Sequence, residues 1–598
     1  MKNLRPFYIP AAIFILGLGL RIAFYRQFAA TPFYGHPLLD ELYYDKMGRA
    51  VASGTIIQDM AFFMGPLYPY LLGVLYALFG HSADIFRIVQ MGMGLGSCGL
   101  IYIIGRRAFL PKTGLLAAFI YAAYKPVLFH EQTLLMETSF SFFFLLFWWL
   151  LLEKRKSGGA YWIAIGAALG TAALFRGNVL FFFPFLAAQI AWTGWAKKRE
   201  SFQKIALLAA GSLLGIMPAT IHNFLAERDF VPITSNDGLN FYIGNNEKAS
   251  GFFEPPPYAM VNMGVDPRGA RFAEEMLGRA PLKSSEISRF WRRRALEWMK
   301  RYPFDFLKLL GRKIYFLWGG AELDQIYSTK GMATLMPAMR LPLFNFFILG
   351  PFALLGLFLA ARNPDEEKIL LALGAISYML SLVPFFITDR YRIPVIPLMC
   401  LFGAYAALHL WDAAKGRRWR ECALLAAAMA ALFFLLNNRR LLERRQEQEV
   451  FHNSLGLIYQ EEGRQDDAIK EFKTALSFSP MPQIFSNLGN SYFMKQDFTT
   501  ALDYYKKAAA MDPQNPTHQY RIGKSCYLLN RWDEALPHFE DFLKREPRQI
   551  PEAWKEIAWL YNQAGRRDKA REAMKIYLTL RPNDADAREV LKTHLGGE

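Results

Sequence analysis

Cysteine is scarce and scattered, with four residues in a chain of 598. Cys98, Cys400 and Cys422 lie in apolar stretches and Cys526 lies in a charged, helix-patterned one, so neither a disulfide framework nor a zinc spacing is present. Charge is thin too: 20% of residues are Asp, Glu, Lys or Arg, against 53% hydrophobic. That balance excludes a disordered chain, and the composition excludes a collagen. No glycine-rich turn of the dinucleotide-binding kind is visible, and with it no soluble nucleotide domain. Acid is outnumbered, with 52 Asp and Glu against 69 Lys and Arg, a net charge of +17. Nucleic acid is a poor account of this excess in a chain with so many apolar runs. Loop Lys and Arg facing a cytoplasmic leaflet explain it better.

What is present falls into two parts. Up to about Leu436 the chain is mostly long apolar runs, and after Arg439 it is charged, Tyr-rich and helical in pattern. A bilayer core takes about 20 mostly apolar residues per helix. Tyr8–Ala23 is the first candidate. A cleaved signal peptide is the competing reading, but the many later spans favour a retained anchor. Further candidates are Ile85–Ile104, Gly114–Phe129, Thr138–Leu152, Tyr161–Leu174, Val179–Trp195, Ile205–Ile221, Leu343–Ala360, Ile369–Phe386, Ile393–Leu410 and Ala423–Leu436, about eleven in all. Leu42–Ser53 and Pro66–Phe79 read as interfacial helices lying on the membrane. In the long segment 222–340, Asn236-Asp237-Gly238 and Gly244-Asn245-Asn246 suggest short extended pieces around tight turns.

Lys2/Arg5, Arg106/Arg107/Lys112, Lys154/Arg155/Lys156, Lys197/Lys198/Arg199, Arg362/Lys368 and Lys415/Arg417/Arg418/Arg420 fall on one side of this threading, which the positive-inside rule makes cytoplasmic. Arg439, Arg440, Arg444 and Arg445 disagree, since they follow the last span on the other side. An additional span at Phe306–Trp318 would reverse the later topology. The odd count is kept because the Lys415–Arg420 cluster fits it.

From Val450 a helical pattern recurs. Pro480, Pro513, Pro547 and Pro582 are 33, 34 and 35 residues apart, and Ala468, Ala501, Ala535 and Ala570 keep the same spacings, as do Gly456, Gly489, Gly523 and Ala558. Phe472, Tyr505 and Phe539 each follow the central Ala by four residues. This is the tetratricopeptide (TPR) signature of helical hairpins stacked into a solenoid. Such an array does no chemistry, and its concave surface commonly holds a peptide or another protein.

Chemistry is expected at the external membrane face. Asp40 and Glu41 lie in Leu39-Asp40-Glu41-Leu42-Tyr43-Tyr44-Asp45, some way past the first span, where a plain helix start with Asp40 as N-cap is the bland alternative. Glu137 sits at the mouth of a span, where it could simply cap a helix. Arg87 opens another span, Arg176 follows Leu174-Phe175, and Arg390 and Arg392 precede Ile393-Pro394. Lys125 and His130 belong to the same surface. Snorkelling or headgroup anchoring would account for each Arg separately. Together they place acids and bases at one face, where ionisable groups are functional suspects.

The order of these motifs resembles the C-type membrane glycosyltransferases, specifically the protein O-mannosyltransferase and aminoarabinose-transferase group. The matching text is Asp40-Glu41-x-Tyr43-Tyr44, Gly65-Pro66-Leu67-Tyr68-Pro69 with Leu78-Phe79-Gly80, Phe86-Arg87-Ile88-Val89-Gln90, Leu134–Glu137, Leu174-Phe175-Arg176-Gly177-Asn178 and Arg390-Tyr391-Arg392-Ile393-Pro394. It covers roughly Tyr8 to Trp411. The repeat tail resembles that of animal membrane O-mannosyltransferases with lumenal TPR arrays. The resemblance implies an all-α protein: a polytopic C-type glycosyltransferase bundle over 1–445, with the external loop 222–340 inside it, then an α-solenoid over 446–598. It implies a sugar donor linked to polyprenyl phosphate, no metal or other cofactor, and inversion at the anomeric carbon. Asp40 is the expected base, and Glu41 would orient the acceptor or hold the Asp40 loop. Arg87, Arg390 or Arg392, with Lys125 behind them, would hold the phosphate. Glu137, Arg176 and Tyr44 would touch sugar or acceptor. The expected location is the inner (plasma) membrane, with the active site and repeats on the periplasmic side. Expected partners are membrane lipids, an exported protein or a glycolipid acceptor, and a protein on the repeats. The long loop departs from the family's standard soluble domains, and Glu137 stands where relatives often have Asp. Protein Ser/Thr and envelope glycolipid both stay open as acceptors. A non-enzymatic scaffold would have no use for the paired acids.

Overall fold

The computed structural model describes residues 5–155, 157–254, 268–438 and 447–596. Lys2, Lys156 and Arg439–Arg445, used above for orientation and for the 445/446 boundary, lie outside the described residues. Among the described residues there are helices and no β-strand, apart from one isolated bridge between Tyr124 and Phe344. The chain divides into two compact units, Met1–Glu443 and Arg444–Glu598.

The first unit runs through α1 (Arg5–Ala29), α2 (Asp40–Ala52), α3 (Leu67–Phe79), α4 (Ala83–Ala108), α5 (Pro111–Ala122), α6 (Lys125–His130), α7 (Glu137–Lys154), α8 (Gly159–Ala173), α9 (Phe183–Thr193) and α10 (Lys198–Glu227). It continues through α11 (Asp237–Gly244), α12 (Ala270–Leu277), α13 (Ser284–Arg301), α14 (Pro303–Trp318), α15 (Thr329–Leu335), α16 (Phe346–Arg362), α17 (Glu366–Leu382), α18 (Ile396–Lys415) and α19 (Trp419–Leu436). Five helical stretches among the described residues are long and apolar enough to cross a membrane: Tyr8–Ala29, Ala83–Ala108, Trp195–Glu227, Arg390–Lys415 and Trp419–Leu436. The other expected spans are shorter, interrupted or, in the 18-residue α7, charged at both ends, and the count of about eleven is not reached on this criterion.

The interruptions have local causes. The expected span Gly114–Phe129 is two helices. Pro126 occupies the first turn of α6, where its ring and missing N–H stop α5 from continuing. The gap is filled by pairing: Lys125 N donates to Phe344 O at 2.8 Å and Phe344 N to Ala123 O at 3.1 Å. Val179–Trp195 is likewise split into a 3-10 turn over Gly177–Phe182 and α9. The α8–α10 hairpin is drawn together by Gly166, Gly170, Gly211 and Gly215. A Cβ on Gly166 would stand 2.1 Å from Leu208 O, and one on Gly211 2.1 Å from Ile163 O. Such small-residue seams let membrane helices gain packing contact where no hydrophobic drive exists between them.

The extended pieces expected around 236–246 are instead the helix α11. Leu239, Tyr242 and Ile243, at helical spacing, pack on Ile287, Trp291 and Ala295 of α13, and this burial overrides the local turn chemistry. The Asn residues terminate the helix. Asn245 Nδ2 donates to Phe241 O and Pro384 O, both at 2.7 Å, and Asn246 Nδ2 to Tyr242 O at 2.9 Å. The possible additional span Phe306–Trp318 is α14, 16 residues long and below span length.

The second unit stacks α20 (Glu447–Glu461), α21 (Gln465–Phe478), α22 (Pro482–Met494), α23 (Phe498–Met511), α24 (Pro516–Leu528), α25 (Trp532–Arg545), α26 (Glu552–Gln563), α27 (Arg567–Leu580) and α28 (Ala585–Thr593). Ala468, Ala501, Ala535 and Ala570 are fully buried, as are Phe472 and Phe539. A Cβ on Gly456 would meet Phe472 at 2.6 Å, and one on Gly489 would meet Tyr505 at 2.6 Å. The sequence period is therefore the packing period: in the first three hairpins the aromatic of the second helix lies on the glycine of the first.

Candidate active site

Asp40 and Glu41 open α2, yet they part ways. Leu39, not Asp40, is the N-cap residue, and its side chain makes no cap. Leu39 has φ of 46°, a left-handed conformation that is costly for a bulky residue and clusters at functional sites. Glu41 turns inward and is buried. Its Oε1 accepts from Leu134 N at 2.8 Å, and its Oε2 accepts from Leu38 N at 3.0 Å and from Tyr327 Oη at 2.6 Å. Burial pushes its carboxyl above the usual range against these bonds. Asp40 turns the other way and takes Arg390 Nη2 at 2.5 Å.

Arg390 and Asp40 form one edge of a deeper cluster. Glu137, in the first turn of α7, is 1% exposed, and neither carboxylate oxygen accepts a hydrogen bond. Its Oε1 lies 3.5 Å from Arg176 Nη2 and 3.6 Å from Arg390 Nη1. The capping role considered for Glu137 is thus absent. Arg176 is stacked over Tyr391 at 3.8 Å, and its Nη1 is buried without a partner. Arg390 is steadied by Nε donating to Gln325 Oε1 at 2.9 Å. Asn178 donates to Ser381 Oγ at 2.8 Å while its own Oδ1 is left without a donor. Buried polar groups without partners cost about 1–3 kcal/mol each, so this floor is arranged for something besides the fold.

Asp40, Arg176, Asn178 and Arg390 of this cluster line a cavity of about 620 Å³, and Glu137 stands behind them, outside its lining. Asp40, Tyr44, Arg176, Asn178 and Arg390 contribute polar side chains to its lining, as do Asp237, Asn240 and Arg292. Between them the walls are apolar: Met64, Met136, Phe175, Phe181, Phe385 and Phe386. Gly65 is obligatory in that wall, because a Cβ there would lie 2.0 Å from Phe175 O. Tyr44 is fully buried, its phenol pushed well above its ordinary pKa chiefly by burial, and its Oη reaches Met136 Sδ at 3.5 Å.

Five residues expected at the site are outside the lining of this cavity, Glu137 among them. Glu41 binds the backbone on either side of it, as described. Arg87 donates Nε to Gln132 O at 2.8 Å and Nη2 to Tyr34 O at 2.9 Å, pairs with Asp84 at 3.0 Å and stacks on Tyr34. Its donors are consumed in holding the loop before α7. Arg392 donates to Gly319 O and Ala321 O at 2.7 and 2.9 Å and lies over Phe346. Lys125 faces a separate chamber of about 50 Å³ behind Arg390, with Glu322, Asp389 and Asn345. There burial raises both acids, Asp389 to about 7. Gln325, Tyr391, Asn178 and the Asp237–Asn240–Arg292 wall were not singled out in the sequence. Asn178 and Tyr391 stand inside motifs already noted, and Asp237 inside a segment noted only for its turn chemistry; the others carry no local signal. Among the described residues no group of three His, Cys, Asp or Glu side chains could hold a metal ion.

Residues 64–222 match the family described as dolichyl-phosphate-mannose-protein mannosyltransferase. Residues 451–480, 482–515 and 520–585 match tetratricopeptide repeat families. The chain thus carries a segment similar to the mannosyltransferase family ahead of tetratricopeptide repeats. The human protein O-mannosyl-transferase TMTC1 is 25% identical over 131 residues, 22% of this chain and 15% of its own length. Human superkiller complex protein 3 is 24% identical over 97 residues, 16% of this chain and 6% of its own. The chain thus spans a small part of the length of these curated relatives. The crystal structure of YrrB, a TPR protein with an unusual peptide-binding site, covers 31% of this chain and 88% of its own at 16% identity, with a TM-score of 0.23. The matched segment 64–222 includes Arg176, Glu137 and the Gly65 wall, while Asp40 and Arg390 lie on either side of it.

Proposed function

We propose that the chain is an integral-membrane glycosyltransferase that moves a sugar from a polyprenyl-phosphate donor to a hydroxyl, with Ser or Thr of exported proteins as acceptor. The observation that carries this reading is the floor of the cavity. Both oxygens of the buried Glu137 carboxylate and Nη1 of Arg176 lack hydrogen-bond partners next to the Asp40–Arg390 pair. The apolar walls suit a lipid-borne substrate, and the polar floor suits its head.

The chemistry follows from the groups present. An alcohol is a weak nucleophile at neutral pH, and a carboxylate within reach can take its proton as attack proceeds. Asp40, exposed to the cavity, is that base. The acceptor oxygen forms a bond to the anomeric carbon, the bond from that carbon to the phosphate oxygen breaks, and polyprenyl phosphate leaves. The sugar passes through an oxocarbenium-like state, and a single displacement inverts the anomeric centre. Arg390 and Arg176 offset the charge growing on the leaving phosphate by bidentate donation. When the phosphate engages Arg390, Asp40 is released from its ion pair to act as base. Glu137 holds the two guanidiniums in place from behind. The TPR array presents protein acceptors.

Purified protein in nanodiscs, given a polyprenyl-phosphate mannose and a Ser/Thr peptide, should yield the O-linked product and lose that activity on Asp40→Asn with membrane insertion intact. Retained transfer by Asp40→Asn removes Asp40 as base. Intact-mass comparison of exported proteins and envelope glycolipids, with and without the chain, reports the acceptor: a missing hexose on a protein supports the proposal, and one missing only from a glycolipid moves the acceptor to lipid.

A further inference from the structure

Helix α14 divides its circumference three ways. Leu309, Lys313, Phe316 and Leu317 are buried against the rest of the unit. Phe304, Leu307, Gly311 and Ile314 recur at the three- and four-residue steps that keep them on one strip. The large side chains of that strip are open, with Phe304 85% exposed, Leu307 58% and Ile314 43%. The neighbouring strip carries Lys308 and Arg312, with Lys300 and Arg301 exposed just before the helix. This basic strip borders a polar groove of about 330 Å³ shared with Asn246, Glu247 and Asp305. One flank is therefore oily and the next is cationic and wet, while the third face is occupied by protein.

The end of the helix fixes where these flanks lie. Tyr315 Oη donates to Asn438 O at 3.4 Å, and Gly320 N donates to Leu436 O at 3.1 Å. Leu436 and Asn438 are the last turn and exit of α19, a span-length apolar helix whose most apolar window is only 6% buried within the protein. The C-terminal turn of α14 thus sits where α19 leaves the bilayer. At 16 residues and about 1.5 Å per residue, α14 is too short to cross a hydrocarbon core of about 30 Å, but it can lie along the boundary.

The geometry points to α14 as a membrane-surface helix. Its Phe304–Leu307–Ile314 strip enters the acyl boundary, and Lys300, Arg301, Lys308 and Arg312 take anionic lipid headgroups. Burying such a strip is favourable, and basic residues at its margin add attraction to acidic lipid. The consequence is mechanical. α13 supplies Arg292 and Leu296 to the cavity wall and is joined to α14 through Tyr302 alone. Anchoring α14 therefore holds that wall at the level of the headgroups. The inference rests on the membrane character of the unit and not on glycosyl transfer.

Full-length Cys422→Ser protein, labelled with a nitroxide on single cysteines and placed in nanodiscs of phosphatidylcholine and phosphatidylglycerol, tests it. Labels at Leu307 and Ile314 should be relaxed more by oxygen than by an aqueous nickel chelate, as a label at Leu424 on α19 is. Labels at Lys308 and Arg312 should show the reverse. Replacing phosphatidylglycerol by phosphatidylcholine should lower the oxygen-to-chelate ratio at Leu307. A Leu307 label reached by the chelate overturns the proposal, and so does one reached by neither reagent, which would mean that protein covers the strip. An unchanged ratio in neutral lipid overturns the choice of anionic headgroups.

Discussion

Adjacent acids at the start of α2 carry different burdens. Glu41 accepts two backbone N–H groups and one phenol in a site closed to solvent. Glu41→Ala leaves these donors unpaired at about 1–3 kcal/mol each, so a marked fall in thermal stability in detergent is expected. Asp40→Asn should leave that midpoint nearly unchanged while removing transfer. Equal destabilisation by the two variants would contradict the division of labour. Lys313 offers a pH signature outside the spans. Its ammonium is buried and donates to Asn245 Oδ1 at 3.0 Å, and desolvation pushes its pKa from 10.5 to about 7. Between those values the unfolded chain binds the proton and the folded chain resists it. Stability therefore falls as pH falls through that window and is level below it. Lys313→Met should flatten the slope of unfolding midpoint against pH between about 7 and 10; an unaltered slope would show that other groups set it. Asp40 and Glu41 were legible as candidate acids from their place after the first span. Which of them faces the cavity was not, because one helical step turns a side chain by about 100° and only the contacts of Leu134 and Tyr327 choose between them.

At the scale of helices, hydropathy located apolar segments and missed their breaks. Gly114–Phe129 reads as continuous because the average ignores that Pro126 cannot follow a helical turn, and the pairing of Lys125 with Phe344 is non-local. The region 236–246 went the other way: its turn-forming Asn and Gly residues were overruled by burial of Leu239, Tyr242 and Ile243 on α13. The α8–α10 seam supplies a prediction at this scale. Gly166→Val or Gly211→Val places side-chain atoms where backbone carbonyls already lie at 2.1 Å. The hairpin must separate, and the yield of monodisperse protein in detergent should drop sharply, whereas Gly99→Val, whose Cβ would meet nothing within 4 Å, should purify normally. Similar yields for both would show that the seam tolerates separation.

For the whole molecule, two units of different solvent preference share one chain. Ending the chain after Arg445 should leave use of the lipid-linked donor intact and impair choice among protein acceptors. Transfer to the same proteins at the same rates by the truncated enzyme would remove the recruiting role of the repeats. The TPR unit was legible almost residue by residue, because each buried Ala and each aromatic–glycine contact lies within one or two hairpins and recurs at the same spacing. The membrane unit was legible as apolar helices and as a set of candidate charges, since hydropathy and motif order are properties of the sequence alone. The site itself was decided by tertiary structure. Asp40 and Arg390 are 350 residues apart in sequence, and Arg87, Arg392 and Lys125, with equal claims as cations, are taken up by backbone carbonyls, aromatic faces or a separate chamber. A guanidinium is available to a substrate only where packing leaves its donors unspent, and that is a property of the folded surroundings rather than of the residue or its neighbours in the chain.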